Sequence, residues 1–63
     1  MDKPYLVFVG VNHTDNIDLV SKSATKQGAR ISAGKARSNM GIDSYTIIYG
    51  PNGFCESMEY EYK

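Results

Sequence analysis

Apolar residues cluster along this chain in segments whose periods differ. Residues 4–12, "PYLVFVGVN", form a nearly continuous apolar run rich in valine and aromatics. Its length and β-branched content predict a strand buried on both faces, with Leu6 and Phe8 on one side and Val7, Val9 and Val11 on the other. The polar cluster His13–Asn16 predicts a turn, because Asp and Asn side chains bond their own backbone. Ile17–Ser23, "IDLVSKS", reads as a shorter, wetter strand that completes a hairpin. Towards the C-terminus, "DSYTIIYG" is a strand by composition, with Ile47 and Ile48 pointing opposite ways. Pro51-Asn52-Gly53 is a hairpin signal, since Asn-Gly suits a type I′ turn. "FCESMEYEYK" then alternates. Phe54, Met58, Tyr60 and Tyr62 share one face; Cys55, Ser57, Glu59 and Glu61 share the other; Glu56 alone breaks the pattern. This reads as a half-buried strand with one wet face.

Between the hairpins lies "GARISAGKARSN", Gly28–Asn39. A phosphate-binding loop needs G-x4-G-K followed by Ser or Thr. Gly28 and Gly34 are one residue too far apart, and Ala36 stands where the hydroxyl is needed. The helical reading fits better. Ala29, Ala33, Ala36 and Met40 fall on one stripe of a 100° wheel, and Lys26, Arg30 and Arg37 on a second. Thr25 or Ser23 can cap the start, and Gly41 can close the end. The helix is predicted over about residues 25–40, at a cost of roughly 1 kcal/mol for each internal glycine.

The element order is therefore β-β-α-β-β, an α+β fold in a single domain covering residues 1–63. Strand 1 is the most apolar and should be central. A right-handed crossover through the helix places strand 3 beside it, giving the order 2-1-3-4. Strands 2 and 4 become edges and carry Asp18, Lys22, Glu59 and Glu61, as edges should. No internal repeat appears.

Length sharpens the picture. A chain of 63 residues buries only about 60% of its unfolded surface, so its stability is marginal. Cys55 is the only cysteine and His13 the only histidine. An intramolecular disulfide is thus excluded, and zinc-ligand spacing is absent. A lone thiol suits a reducing, cytoplasmic location. "YLVFVGV" is too short to span a bilayer and lacks the flanks of a signal peptide, so no membrane partner is expected. The sequon Asn12-His13-Thr14 carries little weight without an export signal.

Net charge is zero, yet Lys22, Lys26, Arg30, Lys35 and Arg37 lie in a run with no acid among them. The Lys26/Arg30/Arg37 stripe, with Lys22 and Lys35 at its margins, could sit on nucleic-acid phosphates. The competing reading is a solvated helix face. Tyr45, Tyr49, Tyr60 and Tyr62 could stack on bases, though such residues more often pack a sheet. No catalytic residue, metal site or cofactor is expected. His13 lies in a turn without a nucleophile motif, and Cys55 has no basic neighbour to activate it.

A second candidate surface follows from geometry. One helix covers one face of a sheet, so a strand apolar on both faces leaves a patch uncovered. Val7, Val9 and Val11 are one candidate for that patch, and the Leu6/Phe8 face is the other. The layout of "YLVFVGVNHTDNIDLVSKSATKQGA" followed by "SYTIIYGPNGF" resembles small phage-encoded accessory proteins, which pair a hairpin with one helix and further strands. The resemblance lies in architecture and implies a binder of host machinery, in some cases an inhibitor. The expectation is a non-catalytic protein-binding module whose partner is a host protein or a second copy in a homodimer. Nucleic acid is the alternative partner.

Overall fold

The computed structural model of the protein describes residues 3–41 and 43–60. The elements run β1 (Tyr5–Val11), β2 (Ile17–Ser23), α1 (Lys26–Met40), β3 (Ser44–Tyr49) and β4 (Cys55–Glu59). The strands form one four-stranded sheet in the order β2-β1-β3-β4, and every neighbouring pair is antiparallel. This is the α+β architecture expected from the apolar pattern. Of the strand-4 positions, Glu61 and Tyr62 lie outside the described residues.

Local chemistry sets the joints. Asn52 (φ 60°, ψ 31°) and Gly53 (φ 79°) occupy left-handed conformations in the short turn Pro51–Gly53. Phe54 N–H donates to the Pro51 carbonyl at 3.2 Å. Two consecutive left-handed residues are what a type I′ turn requires. The first hairpin turns one residue earlier than expected. Thr14 N–H donates to the Val11 carbonyl at 3.2 Å, and His13 takes φ 69°.

Thr25 caps the helix by accepting from Gly28 N–H at 3.0 Å. Gly41 ends it with φ 78°, ψ −146°, and its N–H donates to the Arg37 carbonyl. That conformation is open almost only to glycine and lies away from the left-handed helical well expected there. The Ser44 hydroxyl is buried and donates to the Gly41 carbonyl at 2.7 Å, which ties the helix end to β3.

The helix lies mainly over β1 and β3, and less over β2. Its alanine stripe gives a small core. Ala29 and Ala33 meet Val7 and Ile48, with Tyr5 and Phe54 packed against the cluster. Small residues let the helix approach closely, but they bury little apolar area. Among the described residues, the largest fully buried side chain is that of Val7.

One irregularity shapes the sheet. The β1–β2 register runs Phe8↔Leu19 and then Val7↔Ser21, so Val20 is an extra residue in β2. Such a bulge shifts the side-chain phase of the strand. Before it, Leu19 shares a face with Phe8; after it, Ser21 shares the opposite face with Val7.

Candidate functional site

Directly opposed residues in an antiparallel pair point to the same face. Val7, Ile48 and the helix alanines form the core, so the helix covers the face of β1 that carries Val7, Val9 and Val11. This corrects the candidate interaction set. Val7 and Val9 are buried, Val11 is half-buried near the sheet's end, and none presents an accessible patch. The physical reason is packing: Ala29 and Ala33 lie against Val7 and Ile48, which puts the helix over that face.

The opposite face is the uncovered one. Leu6 pairs with Tyr49, Phe8 with Ile47, and Gly10 with Tyr45. On the other side, Phe8 pairs with Leu19 and Gly10 with Ile17. The face therefore presents Leu6, Phe8, Ile17, Leu19, Tyr45, Ile47 and Tyr49. Ile17, Leu19 and Tyr49 are 44%, 47% and 46% exposed. Phe8 and Tyr49 meet edge to face with ring centroids 5.7 Å apart. Tyr45 lies across Gly10, where a methyl group would come within 2.5 Å of the tyrosine ring. The glycine thus makes room for an aromatic lid on the sheet. Cys55, Ser57 and Glu59 continue the face onto β4, opposite Tyr49, Ile47 and Tyr45. Lys22 closes the β2 side opposite Leu6.

Sequence reasoning identified Leu6 and Phe8 as one of two alternatives and missed the rest of this surface. Its tyrosines and isoleucines were legible in β3, where Tyr45, Ile47 and Tyr49 alternate with Ser44, Thr46 and Ile48. Ile17 and Leu19 were hidden because the consecutive pair Leu19-Val20 breaks the period.

The basic run does not form one patch. Arg30 donates to both carboxylate oxygens of Glu56, at 3.0 and 2.7 Å. This explains the one out-of-phase residue of strand 4: Glu56 points to the helix face because Arg30 reaches it there. The pair holds the Glu56 carboxyl below its ordinary range, chiefly through the Arg30 hydrogen bonds, while partial burial opposes the shift and the charges of Arg30 and Lys26 assist it. Arg30 is correspondingly raised. Arg37 donates to the buried Thr46 hydroxyl. Lys26 Nζ stands 4.4 Å above the Phe54 ring. Lys35 borders a groove between the helix and β2, together with Val9, Val20, Ala36 and Met40. Lys22 is on the uncovered sheet face. Lys22 is thus apart from the helix cations, Arg30 and Lys35 also border one shallow depression on the outer side of the helix, and Lys26, Arg30 and Arg37 are engaged in intramolecular contacts.

A cleft of about 260 Å³ lies between the helix and β4, over Ala33, Thr46 and Ile48, with Arg30 and Glu56 at one end and Arg37 at the other. Among the described residues, no group of three or more His, Cys, Asp or Glu side chains is placed to hold a metal. No helix there is long and apolar enough to cross a membrane. His13 is exposed in its turn, and Cys55 is an exposed thiol. Comparison of the chain with protein-family models, with curated proteins and with solved structures finds no match.

Proposed function

We propose that the protein is a non-catalytic protein-binding module that works through the uncovered face of its sheet. The observation that carries this reading is the continuous apolar and aromatic surface from Ile17 and Leu19, across Leu6 and Phe8, to Ile47, Tyr45 and Tyr49. Covering ~500 Å² of such surface contributes on the order of 12 kcal/mol before association costs, which are estimated at about 4–15 kcal/mol. The architecture's resemblance to small phage accessory proteins extends the proposal to modulation or inhibition of host machinery from the cytoplasm. The nucleic-acid alternative draws less support, because Lys26, Arg30 and Arg37 already have partners within the chain.

The test is affinity capture from a cell lysate after nuclease treatment, with wild type beside Leu19→Lys and Tyr49→Lys. Captured protein, whether a host protein or an untagged copy of this chain, should survive the nuclease and disappear with either substitution. Capture that depends on nucleic acid, or persists in both variants, contradicts the proposal.

A further inference from the structure

We infer that the occupant of the uncovered sheet face is a second copy of this chain, packed face to face in a two-fold dimer. The inference rests on the proposed binding role of that face and names its partner.

Three observations lead to it. The first is the small core of Val7, Ala29, Ala33 and Ile48. Natural domains with so small a core often add a disulfide, a metal or oligomerisation. The sequence has only one cysteine, and the described residues hold no metal-ligating cluster. A second copy is a partner present wherever the chain itself is present.

The second is area. Strands about 4.8 Å apart with a rise of about 3.3 Å per residue give this face a footprint of roughly 300 Å² before side-chain relief. Two apposed faces bury on the order of 1,000 Å² of accessible surface, enough for a specific interface. Two apolar sheet faces also pack in a known way, about 10 Å apart with interdigitated side chains.

The third is charge. The charged strand residues of this face are Lys22 on β2 and Glu59 on β4, at opposite edges of the sheet. Lys22 stands at the level of Leu6, Tyr49 and Cys55, and Glu59 at the level of Gly10 and Tyr45, so both charges lie at corners of the face, its centre is uncharged, and a chain of zero net charge meets no long-range repulsion from its copy. An isologous interface brings the same patch of both copies together, so one uncharged centre meets another.

Equilibrium sedimentation from low micromolar to millimolar concentration tests the dimer, with circular dichroism confirming that each variant is folded. Wild type should pass from monomer to dimer. Leu19→Lys and Tyr49→Lys should each raise the dimer Kd by about thirtyfold or more, as loss of an interface hot spot does. A wild type monomeric throughout overturns the inference, while the binding role stands if the lysate capture still responds to the face substitutions. A dimer indifferent to Leu19→Lys and Tyr49→Lys overturns the face-to-face arrangement.

Discussion

His13, Gly10 and Glu56 show how single residues carry the local cost and logic of this fold. His13 holds φ 69°, a conformation that costs most L-residues about 1–2 kcal/mol. Glycine removes that cost but loses about 0.5–1 kcal/mol through its freer unfolded chain. His13→Gly should therefore stabilise by up to ~1 kcal/mol, read as a higher urea midpoint with unchanged slope. Gly10 is the converse case. A methyl group there strikes the Tyr45 ring, so Gly10→Ala should destabilise by roughly 1–3 kcal/mol in a denaturant titration. It should also tilt Tyr45 off the sheet. Glu56 supplies a pH signature. Its carboxyl is lowered in the fold, first by the Arg30 hydrogen bonds, so it contributes stability above the ordinary carboxylate range. That contribution is lost as pH falls through the lowered folded value. Glu56→Gln should be less stable than wild type at neutral pH, and the two urea midpoints should converge in acid. A gap that persists at low pH would show that the ion pair is not its source.

At the scale of elements, the helix was legible because caps and stripe agree. Thr25, the alanines and Gly41 mark its bounds, and the structure spans Lys26–Met40. The two internal glycines are not equivalent. A methyl at Gly34 meets nothing nearer than Arg37, at 3.9 Å, whereas at Gly28 it comes within 3.1 Å of the capping Thr25 hydroxyl. Gly34→Ala should then gain about 1 kcal/mol, and Gly28→Ala should gain less, in parallel thermal melts. Equal gains would contradict the assigned cap geometry. The hairpins and strand order were also readable, from Asn52-Gly53 and from the apolar content of β1. The phase of β2 was not. A bulge at Val20 changes which side chains share a face, and the run "IDLV" fits either phase until the pairing with β1 is known. The choice of covered face was equally closed to sequence, because β1 is apolar on both sides. It depends on which surface the alanines of the helix can approach.

For the whole molecule, the asymmetry of the sheet is the central fact. A narrow helix covers the middle of one face, over Val7 and Ile48, and leaves Val20 and Met58 at its margins 44% and 45% exposed; the other face bears leucine, isoleucine, phenylalanine and tyrosine without a covering layer. Val9→Asp should unfold the protein, since Val9 is 6% exposed beneath the helix. Leu19→Asp, on the half-exposed β2 position, should leave it folded, as circular dichroism can show. The fold sets Lys22 apart from the helix cations and engages Lys26, Arg30 and Arg37 within the chain. Helical spacing gathered Lys26, Arg30 and Arg37 correctly, but it could not reveal Glu56, Thr46 and Phe54 waiting across the cleft.

Methyl NMR with a soluble paramagnetic agent, recorded at low and high protein concentration, tests that asymmetry most directly. The helix residue Ile31, 55% exposed on the outer surface, serves as the internal control. Val7 and Ile48 in the core should stay unbleached at every concentration. The methyl signals of Leu6, Ile17, Leu19 and Ile47 should bleach in dilute protein and become protected together in concentrated protein, while Ile31 stays bleached. Continued bleaching of all four at high concentration, or protection that extends equally to Ile31, would contradict an interface on the uncovered sheet face.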